Sequence, residues 1–185
     1  MSRHPDEPGA NDPRLALLRS RVRDIPDFPK PGILFRDLTP LMADGAALRG
    51  TVALLAERLA PHRPEVILAV ESRGFIFGAP VAAALGIGFV PVRKPGKLPF
   101  RIARRSYALE YGTDTLEMHA DAVVAGARVA IVDDLLATGG TAQATAELAR
   151  ELGAEVAVAA FVVELALLKG RERLGEARVE SLIVY

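Results

Sequence analysis

The sequence predicts an α/β fold in a single domain, a central and mainly parallel sheet flanked by helices. Three observations carry that expectation. Apolar runs at residues 65–70, 87–92, 129–132, 155–163 and 178–184 alternate with stretches of helical period. Several of these runs are continuously apolar, as strands covered on both faces should be. Two of them end in polar clusters, Glu71-Ser72-Arg73-Gly74 and Asp133-Asp134, at the sheet edge where open α/β sheets bind ligands.

Size and composition set the limits. A chain of 185 residues, half of them hydrophobic, is long enough to bury one core. Lys plus Arg equals Asp plus Glu at 23 each, so no broad basic surface is expected and nucleic acid is not an expected partner. The absence of cysteine excludes disulfides, thiolate catalysis and Cys-based zinc sites, and three scattered His residues argue against a His-only metal site. Residues 1–13 are polar and rich in Pro, Asp and Glu, which predicts a disordered tail and no secretory leader, with residues 14–185 as the domain. Residues 74–92 carry no charge, but Pro80, Gly86, Gly88 and Pro91 divide them into a buried helix and a short strand. A soluble, cytoplasmic protein without a membrane partner is expected.

In chain order, residues 15–25 read as a helix, and Pro26, Pro29 and Pro31 then exclude regular structure. The stiff segment 25–37 presents Phe35 either as a stacking platform for a nucleobase or, with Phe28, as cover for the core. An amphipathic helix follows over 46–59, then the strand over 65–70. Arg73 after it is either a surface residue or a bidentate holder of phosphate oxygens. A helix over 75–85 and a strand over 87–92 lead into a basic stretch with Arg93, Lys94, Lys97, Arg101, Arg104 and Arg105. A solvated loop is one reading of it. The other is a flap, flexible at Gly96 and Pro99, that closes over a polyanion and excludes water. Glu110 stands between Leu109 and Tyr111. Exposed, it is an ordinary strand residue; enclosed, its raised pKa suits proton exchange. Strands over 115–119, 129–132 and 155–163, a short helix over 166–174 and a strand over 178–184 complete the chain.

The most informative stretch runs from Ala130 to Thr141, reading Ala-Ile-Val-Asp-Asp-Leu-Leu-Ala-Thr-Gly-Gly-Thr. A buried strand ends in two acids, and Gly139-Gly140-Thr141 opens a helix that Gly153 stops. Free backbone N–H groups and the helix dipole make such a loop an anion site. Glycine lets the backbone approach a phosphate closely, and Thr138 and Thr141 add hydroxyl donors. Asp133 and Asp134 would repel the phosphate itself. They suit a neighbouring group that carries hydroxyls and develops positive charge, as a ribose 5-phosphate activated at C1 does. Adjacent strand residues point to opposite sides, so the two acids should differ in role. No Gly-x-Gly-x-x-Gly follows a strand and no Walker A loop is present.

This stretch resembles the phosphoribosyl-pyrophosphate (PRPP) motif of the type I phosphoribosyltransferase family, in the wording of its adenine-specific members. The 6-oxopurine members usually carry an acid where Ala137 stands. The resemblance spans nearly the whole chain from Leu15. It implies a small N-terminal hood, a flexible loop that includes Lys94, Gly96, Arg101, Arg104 and Tyr111, and transfer of phosphoribosyl from PRPP to adenine with release of AMP and pyrophosphate. It further implies that Ala137, Thr138, Gly139, Gly140 and Thr141 hold the 5-phosphate. Glu71, Ser72, Arg73, Arg93, Lys94 and Lys97 serve the pyrophosphate, and Leu34, Phe35 and Arg36 take the base. Glu110, Asp133 and Asp134 are the implied catalytic groups. Mg²⁺ would arrive with the substrate rather than in a protein cage, and a homodimer is the implied assembly.

Overall fold

The computed structural model describes residues 12–108 and 113–185. The chain groups into two units, Met1–Thr51 and Val52–Tyr185.

In the first unit, helix α1 (Pro13–Ser20) begins at Asp12, whose side chain accepts the Arg14 amide at 2.8 Å, with Pro13 at a position where its missing N–H costs nothing. The helix expected over 15–25 ends early. Arg23–Pro26 is instead strand β1, paired antiparallel with β2 (Leu34–Asp37). The prolines expected to exclude regular structure bound and fill the turn of this hairpin, which holds Asp27 and Gly32 at positive φ and a cis Phe28–Pro29 bond. Cross-strand pairs outweigh the helical period of the sequence. Arg23 donates to Asp37 at 2.6 Å, Asp24 pairs with Arg36, and Ile25 lies opposite Phe35. Helix α2 (Thr39–Ala43), which the sequence pattern does not announce, follows at once. The buried Asp37 accepts the Thr39 amide at 2.9 Å at its start.

Helix α3 (Gly45–Leu59) carries the chain into the second unit. There β3 (Val66–Val70), α4 (Arg73–Leu85), β4 (Gly88–Val92), β5 (Ile102–Ala108), β6 (Thr113–His119), β7 (Arg128–Leu136), α5 (Gly140–Glu151), β8 (Glu155–Glu164) and β9 (Arg178–Val184) follow in order. Five of the strands form one parallel sheet in the order β4-β3-β7-β8-β9. Its central strands carry continuous apolar stretches: Ile67 to Ala69, Val129 to Val132 and Val158 to Val163 are all buried. Helix α4 lies against β3, β4 and β7, and α5 against β7 and β8.

Two stretches differ from expectation. The basic segment is not irregular throughout, because β5 and β6 form an antiparallel hairpin that places Arg104 and Arg105 on a strand. The helix expected over 166–174 is two 3₁₀ turns, Ala166–Leu168 and Gly170–Leu174, separated by Lys169 at φ 53°. A left-handed residue interrupts the α-helical hydrogen bonds there.

The topology fixes where a ligand can sit. From β3 the chain moves outward to β4; from β7 it moves the other way, to β8 and β9. The carboxyl ends of β3 and β7 therefore flank a crevice at the switch point of the sheet.

Candidate active site

A cleft of about 410 Å³ opens at that switch point. Glu71, Ser72 and Arg73 from the β3–α4 turn, Asp133 and Asp134 from β7, and the whole loop from Ala137 to Thr141 line it, joined by Lys94, Tyr107 and Asp114. The two polar clusters stand far apart in the chain, and parallel pairing of β3 with β7 brings them together.

The two acids do differ. Asp134 is buried and pairs with Arg73, whose Nε stands 2.5 Å from Oδ2. Asp133 turns toward helix α4. Its Oδ1 accepts the Asp134 amide at 2.9 Å and lies only 2.8 Å from where a Cβ on Gly74 would stand. Glycine at the start of α4 is thus what admits this carboxylate. Burial, and after it the Asp134 charge, push the Asp133 carboxyl well above the usual carboxylate range.

The anion loop follows directly. Gly139 is left-handed at φ 82° and precedes α5, whose first residues, Gly140 to Ala142, line the cleft and carry the amides that a helix start leaves free. Thr141 reaches across to the hairpin, where its Oγ1 is 3.2 Å from the Tyr107 hydroxyl, which also donates to Asp114 Oδ2 at 3.2 Å.

On the opposite side, the Glu71–Ser72 peptide is cis. Glu71 accepts the Arg93 guanidinium at 2.7 Å and the Lys94 amide at 2.8 Å. Burial works to raise the Glu71 carboxyl, but the Lys94 amide and the Arg93 side chain outweigh it and hold the carboxyl below its usual range. Glu71 therefore holds the turn that presents Lys94. The Lys94 ammonium pairs with Asp114. Glu117, fully buried on β6, supports the same turn by accepting the Gly96 amide at 3.0 Å, and its other oxygen is 3.1 Å from Arg104.

Of the residues singled out in the sequence, Arg93, Gly96, Lys97, Arg101 and Arg104 are not in the cleft lining. Arg93 and Lys97 serve the turn, Arg93 donating to the Lys97 carbonyl at 3.4 Å. Arg101 lies over the Phe100 ring at 5.4 Å. Leu34, Phe35 and Arg36 lie on β2 of the first unit, with Phe35 edge-on to Phe28 at 5.1 Å. Glu110 and Tyr111 fall outside the described residues. Sequence reasoning missed Tyr107 and Asp114. The polar residues of the hairpin hinted at them, but only strand pairing turns them to the cleft.

A family model described as "Phosphoribosyl transferase domain" matches residues 44–175, and the chain belongs to that family. Similar proteins within it include adenine phosphoribosyltransferases. That of Desulfitobacterium hafniense is 58% identical over 164 residues, covering 89% of this chain and 95% of its own. That of Sorangium cellulosum is 58% identical over 171 residues, covering 92% and 86%. Among solved structures, adenine phosphoribosyltransferase from Thermoanaerobacter pseudethanolicus matches with a TM-score of 0.89 at 51% identity, covering 92% of this chain and 99% of that one. The Saccharomyces cerevisiae enzyme, complexed with adenine and D-2,5-dideoxy-2,5-imino-altritol 1,6-bisphosphate, matches with a TM-score of 0.86 at 41% identity, covering 92% and 98%.

Proposed function

We propose that this chain transfers the phosphoribosyl group of PRPP to adenine, giving AMP and pyrophosphate, a step of purine salvage. The observation that carries the reading is one cleft in which an anion loop and a pair of cationic side chains flank two adjacent carboxylates of β7. That order matches a substrate with a phosphate at one end, a pyrophosphate at the other and a ribose between.

In this reading Ala137, Thr138, Gly139, Gly140 and Thr141 take the 5-phosphate through backbone amides and hydroxyls. Arg73 and Lys94 receive the pyrophosphate, with Glu71 and Ser72 shaping their loop. Both cations already face carboxylates, Asp134 and Asp114, so the arriving anion exchanges one partner for another. As the bond from C1 to pyrophosphate oxygen breaks, positive charge grows on the ribose. The carboxylates of Asp133 and Asp134 stabilise it by position rather than by covalent attack. The ring nitrogen of adenine then forms the new bond to C1. Glu110 exchanges the purine proton, and Leu34, Phe35 and Arg36 hold the base.

Mg²⁺ belongs to the substrate in this scheme and neutralises pyrophosphate charge. Among the described residues no group of three or more acids or histidines is placed to hold a metal, while two carboxylates in the cleft suit an ion that keeps substrate oxygens and waters as its other ligands. Residues 14–185 make up the enzyme domain, the working assembly is a homodimer, and the compartment is the cytoplasm. No helix among the described residues is long and apolar enough to cross a membrane.

The test is AMP formation from adenine and PRPP, with hypoxanthine and guanine as controls. Turnover on a 6-oxopurine in place of adenine would overturn the choice of base, and no turnover on any purine would overturn the reaction.

A further inference from the structure

We infer that the 3₁₀ turn beginning at Gly170 is the brace that holds the anion loop in its binding shape, and that Glu164 and Arg171 are positioning residues acting through it. The inference rests on the reading of residues 137–141 as the 5-phosphate loop.

Two glycines from different parts of the chain meet backbone to backbone beneath that loop. A Cβ on Gly139 would stand 2.4 Å from the Gly170 carbonyl oxygen and 3.0 Å from its Cα. A Cβ on Gly170 would stand 2.4 Å from the Ala137 carbonyl oxygen and 2.9 Å from Leu136 Cδ1. Neither residue can carry a side chain without moving the loop or the turn, since real contacts of that kind do not fall below about 3 Å and packed interiors have no slack. Glycine at 139 is therefore required by the brace as well as by its positive φ.

A separate set of contacts holds the turn. Glu164, at the end of β8, is buried, and it is not part of the cleft lining. Its Oε1 accepts Arg171 Nε at 2.6 Å and its Oε2 accepts the Ser181 hydroxyl at 2.6 Å. Arg171 also donates to the Val179 carbonyl at 2.9 Å. A buried carboxylate with both oxygens engaged, one by a guanidinium, fixes a side chain sharply. Since Arg171 follows Gly170 directly, this clamp sets the height of Gly170 under the loop. The next strand, β9, supplies the remaining contacts, so the far edge of the sheet is tied to the phosphate site.

Anion binding through backbone amides depends on their convergence, as catalysis depends on positioning, where a misplacement of about 1 Å can cost roughly 10²-fold in rate. Gly170→Ala is expected to weaken ribose 5-phosphate and PRPP binding by roughly 10–100-fold, leaving adenine and pyrophosphate binding unchanged. Arg171→Ala removes the clamp without adding an atom beneath the loop and should give a smaller loss with the same selectivity. Thr141→Val, within the loop, serves as the direct control. Calorimetric titration of each folded variant with ribose 5-phosphate, pyrophosphate and adenine separates the outcomes. If Thr141→Val loses ribose 5-phosphate while both brace variants bind it normally, the brace is wrong and the loop assignment stands. If all three bind it normally, the loop assignment itself falls. Equal loss of every ligand in the brace variants would reduce the turn to a general structural element and also overturn the inference. Should Gly170→Ala fail to fold, Arg171→Ala decides, and normal ribose 5-phosphate affinity there refutes the brace.

Discussion

Asp133→Asn should make the protein more stable and less active, and the size of each effect follows from the site. The Asp133 carboxyl is pushed up first by burial and then by the Asp134 charge. An acid whose folded pKa lies above its unfolded value binds more protons when folded. Stability contributed by this group is therefore full at low pH and is lost as pH rises from the ordinary carboxylate range through the raised folded value. At pH 7 the wild type carries that penalty. The amide keeps the shape and can still accept the Asp134 N–H, but it carries no charge. Asp133 is half-buried, so an uncompensated group there costs toward the low end of roughly 1–3 kcal/mol. Taking about 1 kcal/mol, and about 2–4 °C per kcal/mol for a chain of this size, Tm at pH 7 should rise by roughly 2–4 °C. Below the ordinary carboxylate range the acid is neutral in both states and the two proteins should converge. Removing a preorganised charge beside the developing cation should meanwhile lower kcat by about 10²–10³. Thermal denaturation between pH 3 and 8, with steady-state rates at pH 7.5, measures both. A variant less stable than wild type at pH 7, or a stability gap independent of pH, would refute the argument from burial.

Asp134→Asn should differ, since Arg73 compensates this acid: it should lower kcat by a similar factor of about 10²–10³ without raising Tm, as read in the same assays. Asp114→Asn removes the carboxylate that pairs with Lys94 and should tighten PRPP binding in a calorimetric titration, because one negative charge leaves a cleft that takes a polyanion. Glu117→Ala strips the Gly96 amide of its acceptor; limited trypsin digestion should cut faster after Lys97, with Glu117→Gln close to wild type. Glu71→Gln should lower stability at neutral pH, and the difference should shrink as pH falls through the Glu71 range, the direction opposite to Asp133, since Glu71 is held below its ordinary value.

The parallel sheet was legible because its strands are buried on both faces and read as apolar runs. The helices between them were legible for the same reason, as their period shows where one face meets the sheet. The hairpin Arg23–Asp37 was not. Its stability comes from cross-strand pairs such as Arg23 with Asp37, which local propensity does not encode. Residues 166–174 misled in a similar way. The composition suits a helix, but Lys169 is left-handed and the segment is shaped by what Gly170 packs against.

The site divides along the same line. Residues that meet the cleft from a strand end or a helix start could be found from the chain alone, because the α/β pattern places those ends at one edge. That covers Glu71 to Arg73 and Asp133 to Thr141. What it could not supply is the partner of each charge. Adjacency in a strand told only that Asp133 and Asp134 point apart. Their different roles depend on Arg73 reaching one and Gly74 admitting the other, and both come from the start of a helix in a separate βα unit. The same reasoning separates Lys94 from Lys97. Both are basic residues of one turn, yet Glu71 and Asp114 fix Lys94 at the cleft while Lys97 contributes its carbonyl to Arg93. Charge in a sequence marks a site, and the tertiary partner decides whether a given charge is free to meet substrate, is already answered, as Asp134 is by Arg73, or carries a burial penalty, as Asp133 does.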